Sequence, residues 1–117
     1  MKLTDEIWNI LEPAAKIGDK ATREDIEVAL EKGQYQLFQK NKSAAITAPI
    51  KNSLRVGLAG GDLKDLIEIE KDIEAYARSR YFNCIDILGI RIVTGKPTLK
   101  EFFIGAVIAA LLFFKNN

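Results

Sequence analysis

The stretch LRVGLAGGD (residues 54–62), with the run Leu63–Arg80 and the apolar run Cys84–Ile90 behind it, decides the fold. Leu54–Ala59 alternates well enough to be a strand, with Gly57 inside it. Gly60 and Gly61 break that strand, and Asp62 stands where a helix N-cap belongs. Beyond it Leu66, Ile69, Ile73, Tyr76 and Ala77 recur at helical spacing, with charges on the opposite face. Glu68, Glu70, Asp72 and Glu74 alternate with Lys64 and Lys71, which reads as a solvated helix face and not as a metal site. Cys84–Ile90 is β-branched and of strand length. A strand, a helix and a strand in that order make a parallel crossover.

Working outward, Tyr35–Gln39 and Ser43–Ala48 are short strands separated by Lys40, Asn41 and Lys42, a hairpin pattern. Pro49 ends the second strand or puts it near an edge, and Lys51, Asn52 and Ser53 make the next turn. Two helices come earlier. Thr4 caps the first, which carries Ile7, Trp8, Leu11 and Ala15 at helical spacing and is weakened past its second or third turn by Pro13. Ile17–Ala21 reads as a loop. Thr22 and Asp25 form a capping box for the second helix, whose buried face is Ile26, Ala29 and Leu30 and whose stop is Gly33.

Downstream, Ile90–Val93 extends a strand, Gly95 and Pro97 mark a turn, and Thr98 with Glu101 makes another capping box. Phe102–Phe114 holds no charged residue. It is either a short helix to Gly105 followed by a buried strand from Ala106, or part of one helix, Leu99–Phe114, that is apolar all round. A membrane span needs about 20 apolar residues, more than this run supplies. The expected fold is α/β (α+β). One domain over 1–117 holds a mixed, mostly antiparallel sheet with one β-α-β crossover and flanking helices.

Composition narrows the chemistry. The 117 residues are 48% hydrophobic and 28% charged, with net charge +1, so no global field argues for nucleic acid. Histidine is absent, which removes the commonest general base and metal ligand. Cys84 is the only cysteine; it excludes an internal disulfide and reads as a small core residue. Met1–Glu12 lacks the pattern of a secretion signal.

The element order resembles the GNAT acetyltransferase fold, in which a strand leads through a backbone-rich loop into a long helix and a parallel strand. Several segments also resemble small phage-encoded GNAT-like proteins, including acetyltransferase-like virion proteins of short-tailed phages. They are TREDIEVALEKG from Thr22, QLF from Gln36, SAAIT from Ser43, LAGGDL from Leu58 and IEAYAR from Ile73, together spanning roughly residues 20–90. The chain departs from that family after Gly89, where IRIVTG replaces a segment containing Arg and Trp.

The resemblance implies acetyl-CoA, its diphosphate held by backbone N–H groups at a helix start. The family's loop has Gln or Arg, two residues, Gly, one residue, then Gly or Ala. Counted from Arg55, this chain has Leu58 at the first glycine position and Gly60 at the last. Gly60 and Gly61 would admit a phosphate, whereas Asp62 would repel one; the competing reading is a plain strand-to-helix turn. Asp86, between Ile85 and Ile87, is the candidate base, or a solvent-facing strand residue paired with a nearby lysine or arginine. A tyrosine expected near the last helix is replaced by Phe102 and Phe103.

The resulting expectation is a non-catalytic, degenerate acetyltransferase-fold protein in the virion or host cytoplasm, without cofactor or metal. Phe102, Phe103, Phe113 and Phe114 would contact other virion or assembly proteins or a second copy. The alternatives are an acetyl-CoA-dependent N-acetyltransferase, and a small protein anchored in a membrane by its C-terminal segment. Arg78 and Arg80 beside Tyr81 and Phe82 pair cations with aromatics, as a nucleic-acid surface does, but the helix dipole explains both arginines. No nucleic-acid partner is expected.

Overall fold

The computed structural model describes residues 2–17, 21–87 and 90–93. The chain runs α1 (Asp5–Ile17), α2 (Arg23–Glu31), β1 (Gln36–Lys40), β2 (Ser43–Ile50), β3 (Ser53–Gly60), α3 (Leu63–Ser79), β4 (Cys84–Ile87) and β5 (Ile90–Val93). The strands form one sheet in sequence order. β1–β2, β2–β3 and β4–β5 are antiparallel, and β3–β4 is the one parallel pair, bridged by α3. This is the mixed α/β architecture that the sequence led us to expect. The readings of Phe102–Phe114 and of the turn at Gly95 and Pro97 fall outside the described residues, as does most of the Ile17–Ala21 loop.

The local signals work as physical devices. The Thr4 hydroxyl accepts from the Ile7 N–H at 3.1 Å, capping α1. Thr22 and Asp25 make both bonds of the capping box on α2. Pro13 does not end α1, which continues to Ile17 because Ala14 and Ala15 bury the following turn. The β1–β2 and β2–β3 turns are Asn41-Lys42 and Lys51-Asn52, with left-handed backbone at Asn41 and Lys51. Pro49 lies past the last β1–β2 pair, Gln36 with Thr47, so β1 loses no hydrogen bond to it. Cys84–Ile90 is not one continuous strand: Ile87 pairs with Ile90 and β5 returns antiparallel to β4. An apolar run of strand length cannot by itself distinguish a strand from a hairpin.

Both faces of the sheet are covered. On one, Leu66, Ile69, Ile73 and Ala77 of α3 pack against Ala45, Leu54, Ile85 and Ile87. On the other, Leu11 of α1 and Ile26 and Leu30 of α2 pack against Ala44 and Ile46. β3 serves both layers. Ile46 pairs with Leu58 but Thr47 pairs with Val56, so Gly57 is the extra residue of a β-bulge. The bulge resets the alternation, and Leu54, Val56 and Ala59 join the α3 cluster while Leu58 joins the α1–α2 cluster.

The acidic run on α3 is only partly solvated. Asp72 is exposed, but Glu70 is 1% exposed. Its position four after Leu66 and three before Ile73 puts it on the buried stripe. Glu68 sits at the rim, where the hydrogen bond from Lys71, the charge of Lys71 and that of Lys40 lower its carboxyl from the ordinary value. The Lys40–Glu68 approach of 3.7 Å links the end of β1 to α3.

α3 ends in a Schellman arrangement. The Phe82 N–H donates to the Ala77 carbonyl at 2.9 Å and the Tyr81 N–H to that of Arg78 at 3.2 Å. Phe82 folds back onto the core, and Tyr81 occupies the left-handed position, φ +61°, with its residue 90% exposed. Glycine is the usual occupant there because a Cβ is strained in that conformation. Tyr81→Gly is therefore expected to stabilise the fold by about 0.5–1 kcal/mol. Urea unfolding checks this as a raised midpoint at unchanged slope.

Candidate functional site

The site to be tested is the junction between β3 and α3, where a glycine pair meets a helix start. Its two glycines are required by the protein's own packing. A Cβ on Gly60 would lie 2.6 Å from the Ile10 carbonyl oxygen and 3.1 Å from Ile10 Cγ2. Gly60 is thus where α1 rests directly on β3. Gly61 has φ +116°, and a Cβ there would stand 2.2 Å from Ser43 Oγ. Neither glycine is kept bare by open space reserved for a ligand.

Ser43, the first residue of β2, is the organising residue of the junction. It is 1% exposed. Its hydroxyl oxygen accepts from the Asp62 N–H at 2.8 Å, and its proton goes to Asp65 Oδ2 at 3.1 Å. The Asn41 side-chain amide donates to Asp65 Oδ1 at 2.9 Å. The β1–β2 hairpin therefore holds the first turn of α3 through a four-residue polar chain. Asp62 occupies the N-cap position, but its side chain makes no capping bond. Ser43, from a strand 19 residues earlier, accepts instead from the N–H of Asp62 itself.

The electrostatics are unfavourable for a phosphate. Asp62 and Asp65 place two carboxylates in or beside the first turn of α3. Both put negative charge near the positive end of the helix dipole, where an anion would bind. Arg55, the other cofactor candidate, is exposed in the first half of β3, roughly 16 Å along the strand from Gly60 at the usual rise. The structure does not bring Arg55 and the glycine pair together.

Asp86 is half-buried on β4. Arg55 is its register partner across the parallel pair, and Arg91 is its partner across the antiparallel pair. An arginine at the register position opposite a carboxylate is the arrangement of a cross-strand ion pair. Cys84 is half-buried two residues away, with a free thiol. Phe102, Phe103, Phe113 and Phe114 lie outside the described residues. Among the described residues no group of three or more His, Cys, Asp or Glu could hold a metal ion. Among them, too, no helix is long and apolar enough to cross a membrane.

Sequence reasoning found the glycine pair and Asp62 but missed Ser43, Asn41 and Asp65 as one unit. No local signal could have joined them, because the chain separation between the hairpin and α3 hides the contact. Two measurements check the assignment. Ser43→Ala removes an acceptor from a part-buried N–H and a donor from Asp65, and should cost about 1–3 kcal/mol of stability in chemical denaturation. Gly60→Ala should cost about 1–3 kcal/mol with no ligand present, because α1 must move off the sheet. Stability within about 0.3 kcal/mol of the parent in both variants would refute the packing role. Compared with known proteins, the chain finds no match among family models, curated proteins or solved structures.

Proposed function

We propose that this chain is a degenerate acetyltransferase-fold protein that does not transfer acetyl groups. Its role in this reading is a virion-associated or assembly protein of phage origin, acting by binding other proteins. The observation that carries the loss of catalysis is the β3–α3 junction. Both glycines there are filled by protein contacts, and two carboxylates stand at the helix start where a diphosphate would bind. The sequence adds Leu58 at the family's first loop glycine and Phe102 and Phe103 where a phenol is expected. The phage and virion part rests on the resemblance of residues 20–90.

One observation favours the alternative, an acetyl-CoA-dependent N-acetyltransferase. Gly57 is an exposed bulge on β3, and its described parallel pairing with β4 reaches only Val56. Bulges free backbone groups beside ligand sites in many enzymes. A bulge also has a sufficient structural use here, because it gives β3 two buried faces.

Calorimetric titration with acetyl-CoA, using desulfo- and dephospho-analogues as controls, separates the two. The expected result is no saturable heat at millimolar cofactor. Tight binding that weakens when the phosphates are altered would make the enzyme reading the leading one. Gly60→Glu is unsuitable as a control, since the Ile10 contact predicts damage to the fold itself.

A further inference from the structure

The unused feature of the molecule is the end of the sheet opposite the glycine junction. Residues 50–54 and 78–83 contain Lys51, Arg78 and Arg80 and no Asp or Glu. The fold joins these segments: the Asn83 N–H donates to the Asn52 carbonyl at 2.9 Å, and Ser53 is the register partner of Cys84. Three cations thus gather at one end of a chain whose net charge is +1, leaving the remainder net acidic.

Each group has a defined setting. The Arg80 guanidinium stands 5.4 Å from the Tyr76 ring centroid, which orients it without neutralising it. Arg78 lies 3.7 Å from Glu74 in an exposed pair on its own helix. Lys51 is exposed at the left-handed position of the β2–β3 turn. Next to Arg80 and Lys51 in the chain are two exposed apolar side chains, Tyr81 and Ile50, the latter 44% exposed.

Tyr81 is the residue the fold does not explain. Its ring buries almost nothing, and its backbone holds a conformation that glycine would hold with less strain. An exposed strained aromatic beside arginines has the composition of a binding hot spot. We infer that Lys51, Arg78, Arg80, Tyr81 and Ile50 form a docking surface for an acidic protein segment that carries an apolar side chain. The cations meet its carboxylates, and Tyr81 with Ile50 covers the apolar group. A nucleic acid fits less well: its charge extends far past three cations, the rest of the chain would repel it, and Ile50 offers its phosphates nothing. The inference rests on the reading of the chain as a binding protein, and it uses none of residues 99–114.

The test titrates the full chain against a fluorescein-labelled peptide, Glu-Glu-Asp-Leu-Trp-Glu-Asp-Glu, by fluorescence anisotropy, with a labelled oligothymidylate in parallel. Saturable peptide binding is expected, weakening as salt rises from about 50 to 300 mM. The Lys51→Glu, Arg80→Glu double variant should bind at least about tenfold more weakly. Tyr81→Asn should lose roughly threefold or more in affinity while unfolding no earlier than the parent, since asparagine tolerates the left-handed backbone. Absence of saturable binding overturns the inference, and so does binding indifferent to both variants. Tighter oligothymidylate binding that is lost in the same variants replaces it with a nucleic-acid surface. Acetyl-CoA titration of the same preparation keeps the two proposals apart. Cofactor binding with an intact peptide response sinks only the non-catalytic reading, and a lost peptide response without cofactor binding sinks only the surface.

Discussion

The bulge at Gly57 is the constraint on which the rest of the architecture depends. A regular strand would send Leu54, Val56 and Leu58 to one face and leave Arg55, Gly57 and Ala59 on the other. One extra residue moves Leu58 to the α1–α2 layer and returns Ala59 to the α3 layer. β3 can then serve two cores although its first half carries an exposed arginine. The same shift places Gly60 beneath α1, where the Ile10 carbonyl approaches too closely for any other residue. Bulge, glycine and helix seat form one dependent series.

The second dependency runs through Ser43. The crossover helix must leave β3 at a fixed angle to reach β4 on the correct side of the sheet. Gly61 supplies the left-handed turn, and Ser43 fills the space its missing side chain leaves. Asp65 then ties the helix to the β1–β2 hairpin through Ser43 and Asn41. At the entry to the helix the Asp62 N–H is thereby bonded inside the protein. The geometry that makes the junction a well-seated turn also sets the Asp65 carboxylate in the first turn of the helix.

Legibility in the sequence followed the range of the physics involved. Helix periodicity, the Thr22 capping box and the hairpin turns are local, and each was readable because its cause lies within a few residues. The stripe on α3 was read correctly for Leu66, Ile69 and Ile73 but not for Glu70. Charge signals exposure there, although spacing places the residue inside. The β4–β5 reversal was hidden because Cys84–Ile90 is apolar throughout and gives no phase. Ser43 was hidden for a different reason, being a contact made between elements and absent from either alone. Of the candidate site, sequence located the glycines; only coordinates could tell what they are for.

The two ends of the sheet differ in what explains them. At the β3–α3 end, both glycines and Asp65 have internal partners: Gly60 has Ile10, Gly61 has Ser43, and Asp65 has Asn41. At the other end the strained position carries a large side chain that touches little, beside Lys51, Arg80 and the Glu74-paired Arg78. A fold selected for stability alone would reverse that allocation, with glycine at position 81 and a carboxylate near Lys51. Strain without an internal partner is informative because stability alone does not retain it. The glycine pair and the strained, exposed Tyr81 therefore lie at opposite ends of the β3–α3 unit. A fold does not fix where the surface that matters lies, so the feature without an internal explanation is the one to test first.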